Sequence, residues 1–529
     1  MVSKVTGGQR GGWAAWRAAL GAARPSTTGT DRAGPIAQRA LAAAANQLLR
    51  GLRDGAMSEV AYDTALVSAL RDPRDPGRLT FPASLGWLRQ HQHPDGSWGG
   101  RIPTAHDRLV STLAAVVRLA EAPDDWARGA VRSGLAWVHD HARDWVGEPH
   151  ETIAFELLVP RLVDEARGLG LPLPYADLAP VTALRDDKLR RLPPDVLYDR
   201  PTSVVHSLEF LGRGLDWERA RALRGANGAY GNSPSATAHM LGGGRDPAAE
   251  AYLRRVVAVS LNGGACTVYP FEVFERNWVL YNLGLTGLRP AGRRPHLDYL
   301  HGSLRPDGVG LSREGLVPDA DDTVVALLLL RRHGYPSDPA ALLGFEGEDC
   351  FRSFPFERTA STTVNAHVLE ALRDWRDDRP DGYAPQIAKV VAYLRAERRD
   401  GAYWFDKWHV SPYYATSQIA LASRGVANEL VVGSVPWLLE TQRPDGSWGW
   451  HAGTAEETAY ALQTLLTLVP GGTGAVGPAV ARGAAHLAAR FDDTDYPELW
   501  IGKGLYAPFA IIRSAIIAAL QLHHEARRS

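Results

Sequence analysis

The sequence predicts an all-α protein, and three observations carry that prediction. Apolar residues recur at i, i+3, i+4 and i+7 in segment after segment, which is the spacing of a helix with one buried face. Clusters of Gly, Pro and Asp interrupt these segments at short intervals. Strand-like alternation is scarce. Helices joined by short loops favour antiparallel hairpins that pack around a shared core.

The helical pattern extends over most of the chain. The clearest segments are residues 35–53, 105–121, 124–141, 319–333, 385–397 and 455–468. Residues 1–34 are rich in Gly, Ala and Arg and lack a signal-peptide core, so we interpret them as a flexible N-terminal arm. The longest apolar run, at 324–330, is far shorter than the roughly 20 residues of a transmembrane helix. We therefore expect a cytoplasmic protein that is not transmembrane.

The composition argues against several classes of function. The chain has 529 residues and a net charge of −1, without a long basic or acidic block, so no nucleic-acid partner is expected. Its two cysteines are too few for a disulfide framework or a zinc site and fit a reducing compartment. Arg is abundant, whereas lysines occur at only five positions: Lys4, Lys188, Lys389, Lys407 and Lys503.

A motif recurs in the loops between helices. The string Q-H-P-D-G-S-W-G at 92–99 returns as Q-R-P-D-G-S-W-G at 442–449, with a weaker copy at 399–403. We expect its Asp to cap the next helix, its Gly to adopt a positive φ and its Trp to cover the junction. Trp98 and Trp448 are therefore assigned to structure.

Three carboxylates stand at the start of an apolar helix. Asp319, Asp321 and Asp322 occupy three of four consecutive positions. One Asp would suffice to cap a helix. Three of them repel one another, which raises at least one pKa and keeps that carboxyl protonated. A neutral carboxylic acid can protonate an alkene, so the residues alone leave helix capping and acid catalysis equally open.

The string Asp319-Ala320-Asp321-Asp322-Thr323 resembles the D-x-D-D-T motif of class II terpene cyclases. The two full loop repeats resemble the QW motif of triterpene and class II diterpene cyclases. Collinear segments over 148–521 are similar to bacterial and plant copalyl-diphosphate-type synthases. The resemblance implies two α-barrel (α/α toroid) domains, called β and γ. It predicts the first β helix at 35–55, an inserted γ domain at 56–285, and the rest of β, with the D-x-D-D motif, at 286–529.

The resemblance also implies roles at the acid. The middle Asp of the motif, here Asp321, is the family's general acid, and Asp319 and Asp322 hold its proton geometry. In the family a downstream Asn hydrogen-bonds this acid, and the matching position is Asn365.

Further roles follow for the base and the diphosphate. His206 matches the His of a His–Asn pair that holds a basic water, and Thr267 stands where that Asn is expected. Lys188 and Lys407 fall where the family places diphosphate-binding lysines, and Lys503 lies in a Trp-Ile-Gly-Lys string that resembles the family pattern. Compact cations suit an intact diphosphate.

The family's acidic segment, which helps to bind Mg²⁺ with the diphosphate, corresponds here to a stretch with two carboxylates, Glu148 and Glu151. Mg²⁺ is therefore the expected cofactor. Aromatic faces stabilise and shield carbocations, although ordinary core packing is the favoured role for any one ring taken alone. The candidate cation-stabilising rings near the motifs are Trp278, Trp404, Trp408, Tyr413, Trp450 and Trp500.

The implied reaction is protonation of a prenyl diphosphate with the diphosphate retained. The first choice is geranylgeranyl diphosphate, giving a copalyl (labdadienyl) or a rearranged halimane or clerodane diphosphate. The alternative is farnesyl diphosphate, giving drimenyl diphosphate. A downstream class I terpene synthase is the expected pathway partner, and monomer and homodimer both stay open.

Rival interpretations come from other classes. A squalene–hopene-type cyclase shares both motifs but has no use for the diphosphate lysines. An α/α-barrel glycosidase would also use acidic pairs, and a non-catalytic scaffold would tolerate loss of Asp321. The D-D-x-x-D string from Asp377 to Asp381 matches a class I Mg²⁺ motif, but it has no partner motif and lies in a Pro- and Gly-containing loop. We interpret it as a solvated turn.

Overall fold

A computed structural model describes residues 38–122, 124–191, 196–199, 202–354, 357, 359–378 and 381–528. The predicted N-terminal arm lies outside these residues. Helices dominate the described chain, which confirms the all-α prediction. Two short antiparallel hairpins accompany them, Arg71–Asp72 with Asp75–Leu79 and Trp500–Ile501 with Leu505–Tyr506.

The helices are numbered in chain order. They are α1 (Gln38–Gly51), α2 (Ala61–Ser68), α3 (Pro82–Gln90), α4 (Ala105–Leu119), α5 (Asp125–His141), α6 (Phe155–Gly168), α7 (Tyr175–Arg191), α8 (Val196–Asp199), α9 (Trp217–Arg221), α10 (Pro234–Gly242), α11 (Pro247–Ser260), α12 (Glu272–Gly284), α13 (Arg293–His301), α14 (Ala320–Arg332), α15 (Ala340–Leu343), α16 (Thr362–Trp375), α17 (Ala384–Glu397), α18 (Pro412–Ser423), α19 (Ser434–Thr441), α20 (Ala455–Leu468), α21 (Val476–Ala489) and α22 (Phe509–Ala526). Short 3₁₀ segments lie at Ser203–Gly214, Arg376–Asp378 and Asn428–Val431.

Two closed rings of helices organise the molecule. In the first ring, α2, α4, α6, the 3₁₀ segment Ser203–Gly214 and α10 contact one another in turn, and α10 returns to α2. In the second ring, α12, α14, α16, α18, α20 and α22 do the same, and α22 returns to α12. Outer helices pack against these rings, among them α3, α5 and α7 on the first ring and α1, α17 and α21 on the second. Each ring with its outer layer is an α/α toroid.

The sequence explains which helices are inner. Helix α18 is buried at every position and α20 at nearly every position, as expected for helices that carry apolar or small residues on most sides. The outer helix α1 buries only one stripe, Leu41, Ala45, Leu48 and Leu49. Helix α12, which the predicted division assigns to the inserted domain, lies in the second ring between α22 and α14.

The repeated loop motif forms the same lock in each toroid. The indole Nε1 of Trp98 donates to the Leu88 carbonyl at 2.8 Å, and that of Trp448 donates to the Leu438 carbonyl at 2.7 Å. Gly96 has a φ of 94°, and a Cβ there would lie 2.6 Å from the Ser133 carbonyl oxygen. The Trp and Gly roles are thus as predicted.

The Asp of the motif acts differently from the prediction. Asp95 Oδ1 accepts from both the backbone N–H and the hydroxyl of Ser97, so it closes its own turn and does not cap the next helix.

Among the described residues, no helix is both long and apolar enough to cross a bilayer.

Candidate active site

The acid motif combines helix capping with carboxyl crowding. Asp319 caps α14, because its Oδ1 accepts the backbone N–H of Asp322 at 2.8 Å. Asn277 of α12 donates from Nδ2 to Oδ1 of Asp322 at 2.9 Å. Both aspartates are buried, and Asp319 Oδ2 has no hydrogen-bond partner within the described part of the chain.

This environment raises the pKa values of two of the three carboxyls. Burial raises the pKa of Asp319 to about 7, opposed by the N–H of Asp322 and assisted by the carboxyl of Asp321. Burial, with the nearby Asp319 carboxyl, raises the pKa of Asp322 well above its ordinary value. Asp321 is therefore flanked by carboxyls that hold their protons to a higher pH than ordinary aspartates do.

Asp321 is the member of this cluster that a substrate can reach. Its side chain is 14% exposed, and its Oδ1 lies 2.6 Å from Nδ1 of His367 on α16. The other ring nitrogen, Nε2, lies 3.1 Å from Oε1 of Gln418, an acceptor, so Nε2 carries a proton. Burial alone would lower the pKa of His367, but the adjoining Asp321 carboxyl and the hydrogen bonds to Asp321 and Gln418 raise it above its ordinary value.

The predicted hydrogen bond from Asn365 to Asp321 is wrong. The Asn365 amide donates to the carbonyls of Phe351 and Ser361 and accepts from the Phe351 backbone N–H, so both of its N–H bonds are used. His367 makes the contact instead. Two positions along a helix correspond to a turn of about 200°, so these side chains face opposite sides of α16.

Aromatic rings extend from this acid. Trp278 lies edge-on to His367 with ring centres 5.8 Å apart, and it lies 6.5 Å from Trp500. Its indole donates to the hydroxyl of Tyr414 at 2.9 Å, and Tyr414 lies 5.0 Å from Trp500. The structure thus brings two of the predicted rings beside the acid and adds Tyr414, which sequence reasoning missed.

The other predicted aromatic residues lie elsewhere. Trp404 forms a third lock of the repeat type, because its indole donates to the Leu394 carbonyl at 2.6 Å, and we assign it to structure. Tyr413 and Trp450 belong to an aromatic group around Tyr403 and Trp437, and Trp450 is 41% exposed. Trp408 lies under the ammonium of Lys407, 4.4 Å from its ring centre.

Lys188 and Lys407 share one charged neighbourhood. Lys188 Nζ lies 2.5 Å from Oε1 of Glu156, and Lys407 pairs with Glu357. Burial lowers the pKa of Lys407 to about 7, against the effect of nearby Glu151 and with that of nearby Lys188. Two cations held this close together are suited to a ligand of high negative charge.

The predicted acidic pair for Mg²⁺ is divided. Glu148 Oε2 accepts the first backbone N–H of α4, from Ala105, at 2.9 Å and lies 3.4 Å from His106 Nδ1. Glu151 instead interacts with Glu156, close to the two lysines. In the part of the chain that the structure describes, no group of three His, Cys, Asp or Glu side chains could hold a metal by itself.

Lys503 does not belong to the diphosphate neighbourhood, so that prediction is wrong. Its ammonium is fully buried in the first toroid and donates to Glu209 Oε1 at 2.7 Å, Ser233 Oγ at 2.7 Å and Ser235 Oγ at 2.6 Å. All three N–H bonds are used. Glu209 Oε1 also accepts a hydrogen bond from the Tyr62 hydroxyl, at 3.1 Å.

His206 and Thr267 both adjoin Lys503. The Lys503 backbone N–H donates to Thr267 Oγ1 at 3.2 Å. Burial, with the Lys503 charge, lowers the pKa of His206 to about 3, so its ring is neutral. Its Nδ1 lies 2.8 Å from the Gly231 carbonyl and must donate to it, which leaves Nε2 as a proton acceptor.

The D-D-x-x-D string has a surface role. Asp378 forms two hydrogen bonds with the guanidinium of Arg331, at 2.7 and 2.9 Å. Asp381 Oδ1 accepts the backbone N–H of Tyr383 at 3.2 Å. These contacts match the solvated turn that the sequence predicts.

Comparisons with known proteins agree with this geometry. Residues 357–509 match the family model of the squalene-hopene cyclase C-terminal domain. The chain is 33% identical to the type B diterpene cyclase of Mycobacterium tuberculosis, over 89% of this chain and 97% of that protein. It is 34% identical to the labda-7,13-dienyl diphosphate synthase of Streptomyces clavuligerus, over 92% and 94% of the two chains.

The fold has a close counterpart among solved structures. The ent-copalyl diphosphate synthase of Streptomyces platensis superposes with a TM-score of 0.78 at 33% identity, covering 92% of this chain and 99% of that one. With the motif, the toroids and these relatives in agreement, the chain belongs to the bacterial class II diterpene cyclases.

Proposed function

We propose that this enzyme cyclises geranylgeranyl diphosphate to a bicyclic copalyl-type diphosphate by protonation, with the diphosphate retained. The observation that carries the proposal is Asp321, a partly exposed carboxyl held by His367 between two buried carboxyls of raised pKa, with Trp278 against the His367 ring. The relatives with diterpene and labdadienyl diphosphate names support a substrate of 20 carbons.

In the proposed first step, Asp321 transfers one proton to the terminal alkene. His367 occupies Oδ1, which leaves Oδ2 to carry the proton that is transferred. The electron pair of that alkene forms the new C–H bond, and the two neighbouring alkenes then close two rings in succession. The Trp278 and Trp500 faces stabilise the resulting cation, and their bulk excludes water.

At the other end of the substrate, Lys188 and Lys407 would bind the diphosphate. No C–O bond to the diphosphate breaks, so these cations bind and orient the substrate without activating a leaving group. If Mg²⁺ accompanies the diphosphate, Glu151, which lies near Lys407, is the member of the predicted pair that would hold it, because Glu148 is engaged at the start of α4. The ion would supply further neutralisation of phosphate charge.

The reaction ends when a base removes one proton, so substrate and product are isomers. His206 is our candidate, acting through a water at Nε2, with Thr267 in place of the family's Asn. The product keeps its diphosphate and is therefore a substrate for a class I terpene synthase.

We also propose a domain division that differs from the sequence expectation at one boundary. Helix α1 packs on α22, which supports its assignment to the second toroid. Helix α12 packs between α22 and α14, which supports an inserted domain that ends at about residue 271 instead of 285. The acid then comes from one domain, and Lys188 and His206 come from the other.

Incubation of the full chain with geranylgeranyl and farnesyl diphosphates tests the proposal. The products are dephosphorylated and identified by mass spectrometry. We expect a bicyclic 20-carbon alcohol from the wild type and at least a 1,000-fold lower rate from Asp321→Asn. Asp378→Asn, on the surface, is the matched control and should retain activity. Turnover of neither substrate, or full activity of Asp321→Asn, would overturn the proposal.

A further inference from the structure

Glu456 is a buried carboxylate in the first turn of α20, and none of the steps above uses it. It is 1% exposed. Its Oε1 accepts from three donors: Trp500 Nε1 at 2.8 Å, the Tyr460 hydroxyl at 3.2 Å and His409 Nε2 at 3.3 Å. Its Oε2 has no hydrogen-bond partner among the described residues. Three converging donors are the environment of a carboxylate.

The three donors are electrically neutral. His409 Nδ1 lies 3.0 Å from the backbone N–H of Ser411, which can only donate, so Nδ1 accepts and the ring proton is on Nε2. Indole and phenol donors carry no charge either. Within the described ranges, no Lys or Arg forms an ion pair with Glu456, and His409 is its one ion-pair-type contact. The donors therefore hold the Glu456 carboxylate in one orientation without neutralising its charge.

Aromatic rings connect this charge to the acid. Trp500, which donates to Glu456, lies 5.0 Å from Tyr414 and 6.5 Å from Trp278. Trp278 lies 5.8 Å from His367, the partner of Asp321. Burial, followed by the nearby carboxyls of Asp322 and Glu456, raises the pKa of Tyr506, which lies 6.5 Å from Trp500. One group of rings thus has the proton donor near one end and Glu456 behind the other.

We propose that Glu456 is a positioning residue that stabilises the carbocation electrostatically through the ring of Trp500. This inference rests on the proposed function, since only a reaction with a cationic intermediate needs such a charge. A carboxylate that accepts the indole N–H draws the hydrogen towards itself and makes the ring face more negative. A negative charge fixed at the N–H edge of the ring adds to the ring's own attraction for a cation, without reorganisation during the reaction.

Binding of a charged analogue separates this role from a structural one. The probe is a geranylgeranyl diphosphate analogue in which an ammonium nitrogen replaces the carbon that becomes cationic, and its uncharged carbon counterpart has the same shape. In Glu456→Gln the amide oxygen can keep the three donated hydrogen bonds while the charge is lost. We expect the preference for the ammonium analogue to fall about 10-fold, as for two opposite charges separated by a ring in a protein interior. Affinity for the uncharged analogue should stay within 2-fold, roughly.

Two further variants keep the test decisive. Glu456→Asp retains the charge while disturbing the packing, so it should keep most of the ammonium preference even if the Gln variant is poorly folded. Glu457→Gln changes the next residue, also buried, whose carboxylate accepts the Trp450 backbone N–H and the Thr454 hydroxyl in the loop lock. It should leave the preference unchanged.

The outcomes are distinguishable. If Glu456→Gln binds both analogues as the wild type does, or weakens both equally, the inference is overturned. If the wild type turns over no prenyl diphosphate, the proposed function fails first. If kcat of Glu456→Gln falls about 10-fold, with KM for geranylgeranyl diphosphate little changed and more partly cyclised product, the kinetic data support the binding result.

Discussion

The acid motif and the Glu456 site place buried carboxyls beside the same group of aromatic rings, but their hydrogen bonds differ. Asp319 receives a single backbone N–H, and its Oδ2 receives none among the described residues. Asp322 receives the amide of Asn277. Glu456 receives three donors on one oxygen. The pKa values of the first pair are thereby raised, while the second site is arranged to hold a negative charge.

The difference teaches that burial alone does not decide what a carboxyl does. Glu209 is as deeply buried as Asp322, yet its pKa is lowered, because the charge and hydrogen bond of Lys503 outweigh the effect of burial. A buried carboxyl that has few hydrogen-bond donors and lies beside other carboxyls belongs to an acid site. A buried carboxyl with neutral donors is a charge held in one orientation. A buried carboxyl with a cationic donor forms a structural ion pair.

The largest expected effect comes from breaking that ion pair. Lys503→Met leaves the Glu209 carboxylate buried without its cation, which should cost about 3–5 kcal/mol of unfolding free energy. Urea denaturation measures the loss. The double variant with Glu209→Leu, which removes both charges, should recover most of it.

A role of Lys503 in diphosphate binding would give a different result. If Lys503→Met kept its stability but raised KM for geranylgeranyl diphosphate, the lysine would be a substrate ligand after all, and its assignment as structural would fail.

Next in size is the loss of the partner that distinguishes Asp321 from its neighbours. His367→Ala should lower kcat about 100-fold, because Asp321 Oδ1 loses the 2.6 Å contact that orients the carboxyl. His367→Asn places an amide N–H near the position of Nδ1 and should recover about 10-fold of that loss. Steady-state kinetics with geranylgeranyl diphosphate measures both variants. Equal activity of the Ala and Asn variants would contradict the orienting role.

A smaller effect is expected at the diphosphate end of the substrate, where removal of a positive charge can be compared with the changes at the acid. Lys407→Met should raise KM about 10-fold with little change in kcat, the value of one charge-assisted hydrogen bond to phosphate. Lys389→Met is the matched control, since Lys389 pairs with Glu346 at 2.6 Å away from this neighbourhood. A fall in kcat alone would instead connect Lys407 with the chemical step.

The sequence predicts the toroids, the loop locks and the acid motif, because each of these depends on local spacing. It fails where two candidates differ only in which way a side chain faces. Asn365 and His367 are two residues apart on α16, and only the packing of α16 against α14 selects the histidine. The one sign of this in the sequence is that a second polar residue, His367, lies two positions after Asn365.

Scarcity was a weak guide among the lysines. It favours Lys188, Lys407 and Lys503 equally as candidate diphosphate ligands. Lys503, however, follows a short strand whose hairpin carries it into the first toroid. Trp404 was misassigned for a related reason. The weak loop copy at 399–403 predicts a lock, but the indole that forms it, that of Trp404, comes one residue after the copy.

A pH titration of stability tests the protonation state of the acid motif directly. In the folded protein the pKa of Asp319 is raised to about 7 by burial, above the value of an unfolded chain. Its contribution to stability is therefore complete in acid and is lost as pH rises through about 7. Asp319→Asn keeps the oxygen that caps α14 but cannot titrate. The unfolding free energy of this variant, relative to wild type, should rise by up to about 1 kcal/mol per pH unit between roughly pH 4 and 7. A difference that stays constant over urea titrations across that range would mean that Asp319 is ionised like an ordinary surface aspartate, and the contrast with Glu456 would then be lost.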